Sequence, residues 1–129
     1  MKKYFILFLF SMLSIVVFSQ NNRVNGKIIK NFGETFKVDN PEIKTDTSAE
    51  LKVIFDVSAT SSNKSSINSY IVTAARFLNM HANEGMKPNQ LKVAITIHGA
   101  AWKDVLSDSE YKKKFGVVNP NSQLIKDLN

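Results

Sequence analysis

Residues 91–106, LKVAITIHGAAWKDVL, constrain what this chain can fold into more than any other stretch. The first seven are mostly apolar, with β-branched Val93, Ile95 and Ile97 joined by Thr96, and this predicts a strand buried on both faces. The apolar run stops at His98-Gly99, and beyond it Ala100, Ala101, Trp102, Val105 and Leu106 recur at helical spacing. A strand that enters a helix through a small-residue turn carries polar groups to the carboxyl edge of a sheet, where open α/β folds bind their ligands. His98 is therefore the first candidate for chemistry.

A second strand is predicted over residues 51–57, where Leu51, Val53, Ile54, Phe55 and Val57 form a nearly continuous apolar run. It closes at Asp56-Val57-Ser58 and is followed by a Ser/Thr/Asn-rich loop, 59–66, with several candidate N-caps. From Ile67 the period becomes helical: Ile67, Tyr70, Ile71, Ala74, Phe77, Leu78 and His81 make one stripe that ends near Gly85, and Pro88 prevents continuation. Strand, helix and strand in this order predict a parallel pair with a right-handed crossover. A short helix over 102–107 and a second over 109–115, capped by Asp108 and stopped at Gly116, come next. A third is expected to start with Asn119 as N-cap and Pro120 at N1, with Leu124, Ile125 and Leu128 on one side. The fold class is thus α/β, with a parallel pair that needs further strands and cover on both faces. An α/β domain that ends on an ascending helix lacks the strand that helix should lead to, so completion by another chain or by further sequence is expected.

Lys2 and Lys3 precede an apolar stretch, 5–18, that is shorter than the ~20 residues a membrane-spanning helix needs. Val17-Phe18-Ser19 suits a signal peptidase, which predicts cleavage between Ser19 and Gln20, a signal peptide over 1–19, export to the periplasm or beyond, and no membrane attachment afterwards. Residues 20–50 carry a weak pattern, with short edge strands expected at 27–30 and 35–38, and read as an N-terminal arm on a domain spanning 51–129. The balance of 17 basic against 11 acidic side chains gives a net charge of +6, but the lysines are scattered. The run Lys112-Lys113-Lys114 reads as a solvated helix face, and nucleic acid is not an expected partner. With no cysteine, no disulfide can help the core, and no thiolate metal site, thiol nucleophile or N-terminal lipid-bearing cysteine is available in these residues.

At LKVIFDVSA (51–59), AARFLNMHANEG (74–85), VAITIHGAAWKDVLSDSEYKKKFG (93–116) and NPNSQLIKDL (119–128) the chain resembles the DsrE/DsrF-like family, sulfur-relay proteins and their exported relatives. The resemblance implies a three-layer α/β fold, a mostly parallel sheet with helices on both faces and incomplete at the C-terminus, assembly into trimers or hexamers, and a sulfur-relay partner protein. In such relatives the helix matching 119–128 runs into a strand and a cysteine that carries persulfide. Nothing in this sequence can take that role, because a persulfide needs a thiolate and methionine has none. The expectation is a carrier or binding subunit without its own thiol, and no sulfurtransferase activity of its own.

His98 sits beside Gly99, which admits close approach to the backbone. It reads either as a proton donor or anion contact, or as a buried histidine satisfied by a carbonyl. Asp56 and Ser58 close the neighbouring strand and share that edge; the carboxylate could orient the imidazole, or could simply cap loop amides. These four residues also define a second reading, a non-catalytic module for a small anion or nucleotide. The loop 60–66 has no glycine and makes a poor phosphate cradle; capping accounts for its serines. His81 reads as packing, and Trp102 and Tyr111 as core or subunit-contact residues. Two isolated histidines do not suggest a metal, and no cofactor is expected.

Overall fold

The structure is a computed structural model that describes residues 22–129; the expected signal peptide and its cleavage point lie outside them. Strands β1 (Arg23–Val24) and β2 (Thr35–Phe36) pair antiparallel, and β3 (Leu51–Val57) and β4 (Leu91–Ile97) pair parallel, with helix α1 (Ser69–Asn83) between them. A 3-10 segment over Gly99–Val105 leads to α2 (Asp108–Phe115) and α3 (Ser122–Leu128). This is an α/β fold. The parallel strands run in register from Leu51 opposite Leu91 to Val57 opposite Ile97, with the bounds that their apolar runs predict.

Neither strand is buried on both faces. Val53, Phe55, Val57, Val93, Ile95 and Ile97 turn inward, while Lys52, Ile54, Asp56, Lys92, Ala94 and Thr96 face solvent, Ile54 with 71% of its surface. A strand's side chains alternate, so the polar residues two apart mark one face, and this outweighs the overall apolar count. Lys52 and Lys92 stand directly opposite each other on that face. Such like-charged pairs are unfavourable, and Glu50 relieves this one through an ion pair to Lys52 at 2.8 Å.

The inward face is covered by α1, which packs on both strands and against α3. Ile71, Ala74, Ala75, Asn79 and Ala82 form its buried stripe, at the three- and four-residue spacing expected of an amphipathic helix. Ile29, Val57, Ile71, Ala75, Ala101 and Leu124 make the centre of the core, and its alanines let backbones approach closely. Residues 27–30 are turns and not an edge strand, and Ile29 enters the core. The Asn79 side chain takes the place of a strand neighbour for Ile28 and Ile29 and holds the turn that follows: Asn79 Oδ1 accepts from the Ile28 and Ile29 amides at 3.2 and 2.8 Å, and Nδ2 donates to the carbonyls of Ile29, Phe32 and Gly33 at 2.9, 2.8 and 3.1 Å. Gly33 has φ +68°, and a side-chain carbon there would lie 2.4 Å from the Arg76 nitrogen. The arm therefore lies directly on α1.

Two helix starts differ from expectation. Ser107, not Asp108, caps α2 by accepting from the Glu110 amide at 3.2 Å. Asn121, not Asn119, precedes α3. Asn119 nevertheless caps the turn that leads into the helix, its Oδ1 accepting from the Asn121 amide at 2.9 Å while its Nδ2 donates to the carbonyls of Asp104 and Leu106 at 2.9 and 2.7 Å. The expected 102–107 helix is the 3-10 segment, which begins earlier, at Gly99. No helix among the described residues is long and apolar enough to cross a membrane.

Candidate functional site

The parallel register places Asp56 opposite Thr96, and His98 follows one residue beyond the paired strand, its amide donating to Val57 O at 3.0 Å. His98 keeps extended backbone, with φ −149°, so the alternation continues through it. Asp56, Thr96 and His98 consequently meet on the open face at the carboxyl edge. His98 Nε2 lies 2.8 Å from Asp56 Oδ1, and the Thr96 hydroxyl donates to the same oxygen at 2.7 Å. The Thr96 hydroxyl, and after it the His98 imidazole, hold the Asp56 carboxyl below the usual aspartate range.

With Asp56 ionised, Nε2 is the protonated ring nitrogen, and Nδ1 makes no hydrogen bond among the described residues. Nδ1 can accept a proton, or donate to an anion once the ring is charged. The side chains of His98 and Asp56 are 57% and 70% exposed, so salt screens their attraction and the pair orients a ring more than it stabilises the fold. Ser58 and Gly99 support the turn beneath. Gly99 has φ +53°, and a side-chain carbon there would meet Ser58 O at 2.9 Å; that carbonyl accepts from the Ala101 amide at 3.2 Å. The close approach that Gly99 permits is thus made by Ser58 itself.

Thr96 belongs to the cluster although sequence reasoning passed it over; once Asp56 and Thr96 are paired in register, period two finds it. Beneath the edge lies a second group that no motif announced. Asp104 is buried, and its carboxylate accepts from Thr60 Oγ1 at 2.9 Å and Asn68 Nδ2 at 2.7 Å. Asn68 also donates to Ala59 O at 2.8 Å and caps α1 by accepting from the Tyr70 amide at 2.9 Å. Its own amide donates to Asn121 Oδ1 at 2.7 Å. The loop 59–66 is thereby tied to both the 3-10 segment and α3, and Asn68, not one of the loop's serines, is the cap.

No family model, curated protein or solved structure matches this chain. The remaining candidates fall in three places. His81 packs edge-on to Phe77, with centroids 4.6 Å apart. Tyr111 is buried, whereas Trp102 is exposed, with the Lys114 ammonium 4.9 Å from its ring centroid. An apolar groove of about 230 Å³, lined by Ile71, Leu78, Ile95, Ile97, Ile125 and Leu128, runs between α1, β4 and α3.

The lowered Asp56 pKa sets a pH dependence. A carboxyl whose folded value lies below its unfolded value contributes stability above the unfolded value, about pH 4, and that contribution is lost as pH falls through the folded value. Carboxyl-detected NMR titration is expected to place Asp56 below an ordinary aspartate. Thr96→Val should raise it more than His98→Ala does; an unshifted Asp56 in the unaltered protein would refute the cluster.

Proposed function

We propose that this protein is an exported DsrE/DsrF-like subunit that works as an oligomeric carrier or binding component of a sulfur relay, with no thiol of its own in these residues. The observation that supports it best is the in-register parallel pair joined through α1, which brings Asp56, Thr96 and His98 to one carboxyl edge. In this reading the three-layer arrangement is completed on assembly: the apolar part of the open sheet face, where Ile54 stands beside Ala94, is covered by further copies of the chain in a trimer or hexamer, and the carboxyl edge with Asp56, Thr96 and His98 stays accessible. Burial of that face and of the apolar groove supplies the driving force for association. The relay partner delivers or takes sulfur as a bound species, because the residues here offer no sulfur nucleophile.

The second reading, a small-anion or nucleotide module, is favoured by His98: Asp56 engages one ring nitrogen and leaves the other for a ligand. Sedimentation of the purified protein tests the first reading, and three or six chains per particle is the expected result. A folded single chain would overturn it. Thiosulfate titration followed at the resonances of the histidine edge tests the second; saturable shifts at Asp56 and Thr96 should vanish in His98→Ala, and shifts there that persist unchanged count against a role for His98.

A further inference from the structure

The segments that leave the carboxyl ends of β3 and β4 each bring a lysine to the same aromatic ring. Lys64, in the loop after β3, has its Nζ 5.0 Å from the centroid of Phe115, and Lys103, in the 3-10 segment after β4, has its Nζ 5.7 Å from the same centroid. The ring is held from the core side by Tyr111, whose centroid is 4.7 Å away and whose hydroxyl donates to Lys64 O at 3.1 Å. The two segments are also bonded to each other, through Thr60 to Asp104 at 2.9 Å and the Ala101 amide to Ser58 O at 3.2 Å. A hydrogen-bonded frame, not two independent loops, therefore sets how close the lysines come.

Neither ammonium takes part in an ion pair among the described residues. The carboxylate of Asp104, which is near Lys103, is buried and engaged by Thr60 and Asn68. Burial, and then the neighbouring Lys64, hold Lys103 below the usual lysine range. Attraction of each ammonium to the Phe115 ring is modest and does not neutralise two like charges. One doubly charged oxyanion would, because each ammonium offers three donors and a tetrahedral oxyanion can accept from both.

We propose that Lys64 and Lys103, beside Phe115, form a binding site for a small dianionic oxyanion of the phosphate or sulfate type. It sits on the loops at the carboxyl edge of parallel strands, the customary ligand position in α/β folds. It shares no residue with the His98–Asp56 cluster, and it does not rest on the sulfur-relay reading.

The test is an NMR titration of the purified protein with inorganic phosphate and with sulfate, against acetate at matched ionic strength. Saturable shifts at Lys64, Lys103 and Phe115 are expected with phosphate and sulfate but not with acetate. Lys64→Gln and Lys103→Gln should each weaken binding by about tenfold or more, the double variant should not bind, and Lys126→Gln should bind normally. Retained amide dispersion in each variant shows that folding is intact. Equal shifts with acetate, or a folded double variant that binds as the unaltered protein does, would overturn the site. So would loss of phosphate binding in His98→Ala with both lysine variants unaffected, which would move the anion to the histidine edge. A second arm sediments the protein with phosphatidylcholine vesicles with and without phosphatidic acid, whose phosphate monoester can carry two charges. Retention that depends on both lysines means the oxyanion is borne on a lipid headgroup, and phosphate binding without retention means it is free; each supports the site.

Discussion

Asn79→Ala is expected to destabilise the protein by about 3 kcal/mol and to lower its melting temperature by roughly 15 °C. The side chain is fully buried and serves five backbone groups of the arm, two as acceptor and three as donor. Alanine leaves these groups without partners where water cannot replace them, and each buried unsatisfied group costs about 1–3 kcal/mol before relaxation. Relaxation takes the form of local release of the arm, so residues 22–36 should become the first site of proteolysis. Asn79→Asp separates the roles further: it keeps the acceptor for Ile28 and Ile29 but turns an oxygen toward three carbonyls. Its carboxyl is then raised in the folded state, so the variant should lose stability as pH rises through that value. Denaturant unfolding measures both. An alanine variant within about 1 kcal/mol of the unaltered protein would mean that the arm is not anchored there.

Asp104→Ala should cost about 2–3 kcal/mol, and Asp104→Asn roughly half of that. The carboxylate gathers Thr60 and Asn68, and through Asn68 it positions the N-cap of α1. Alanine strands both donors, although Asn68 keeps Ala59 O as a partner. Asparagine retains one acceptor and sets its amide against a donor, which the Thr60 hydroxyl can relieve by rotating to accept. Hydrogen exchange adds a readout specific to this role: the Tyr70 amide, which the cap holds, should lose protection more than amides in the middle of α1. Equal stability for all three proteins would show that the network does not position the helix.

Much of the fold could be read along the chain because the relevant signals are local. The seven-residue apolar runs are bounded by polar turns, and the α1 stripe carries its own period, so β3, β4 and α1 fall where expected. The exposed face was obscured by Ile54 and Ala94, which fill solvent positions between Lys52, Asp56, Lys92 and Thr96 and made alternation look like continuity. Ser107 and Asp108 are equally good caps by type, so which of them caps α2 depends on what else each side chain bonds, whereas Asn119 caps the turn before α3 and the helix proper starts after Asn121. Of the site, His98 and Asp56 could be inferred from strand ends. Their contact, and the addition of Thr96, needed the register.

Residue type and spacing alone place the two strands, the helix between them and the polar residues that close each strand, and they leave these 129 residues without a thiol. Packing in three dimensions sets which sheet face stays open, binds the arm to Asn79, buries Asp104 among neutral donors and brings Lys64 and Lys103 to one ring. Those outcomes join residues some forty to fifty positions apart. Their geometry comes from how backbones pack, and no periodicity along the chain encodes it.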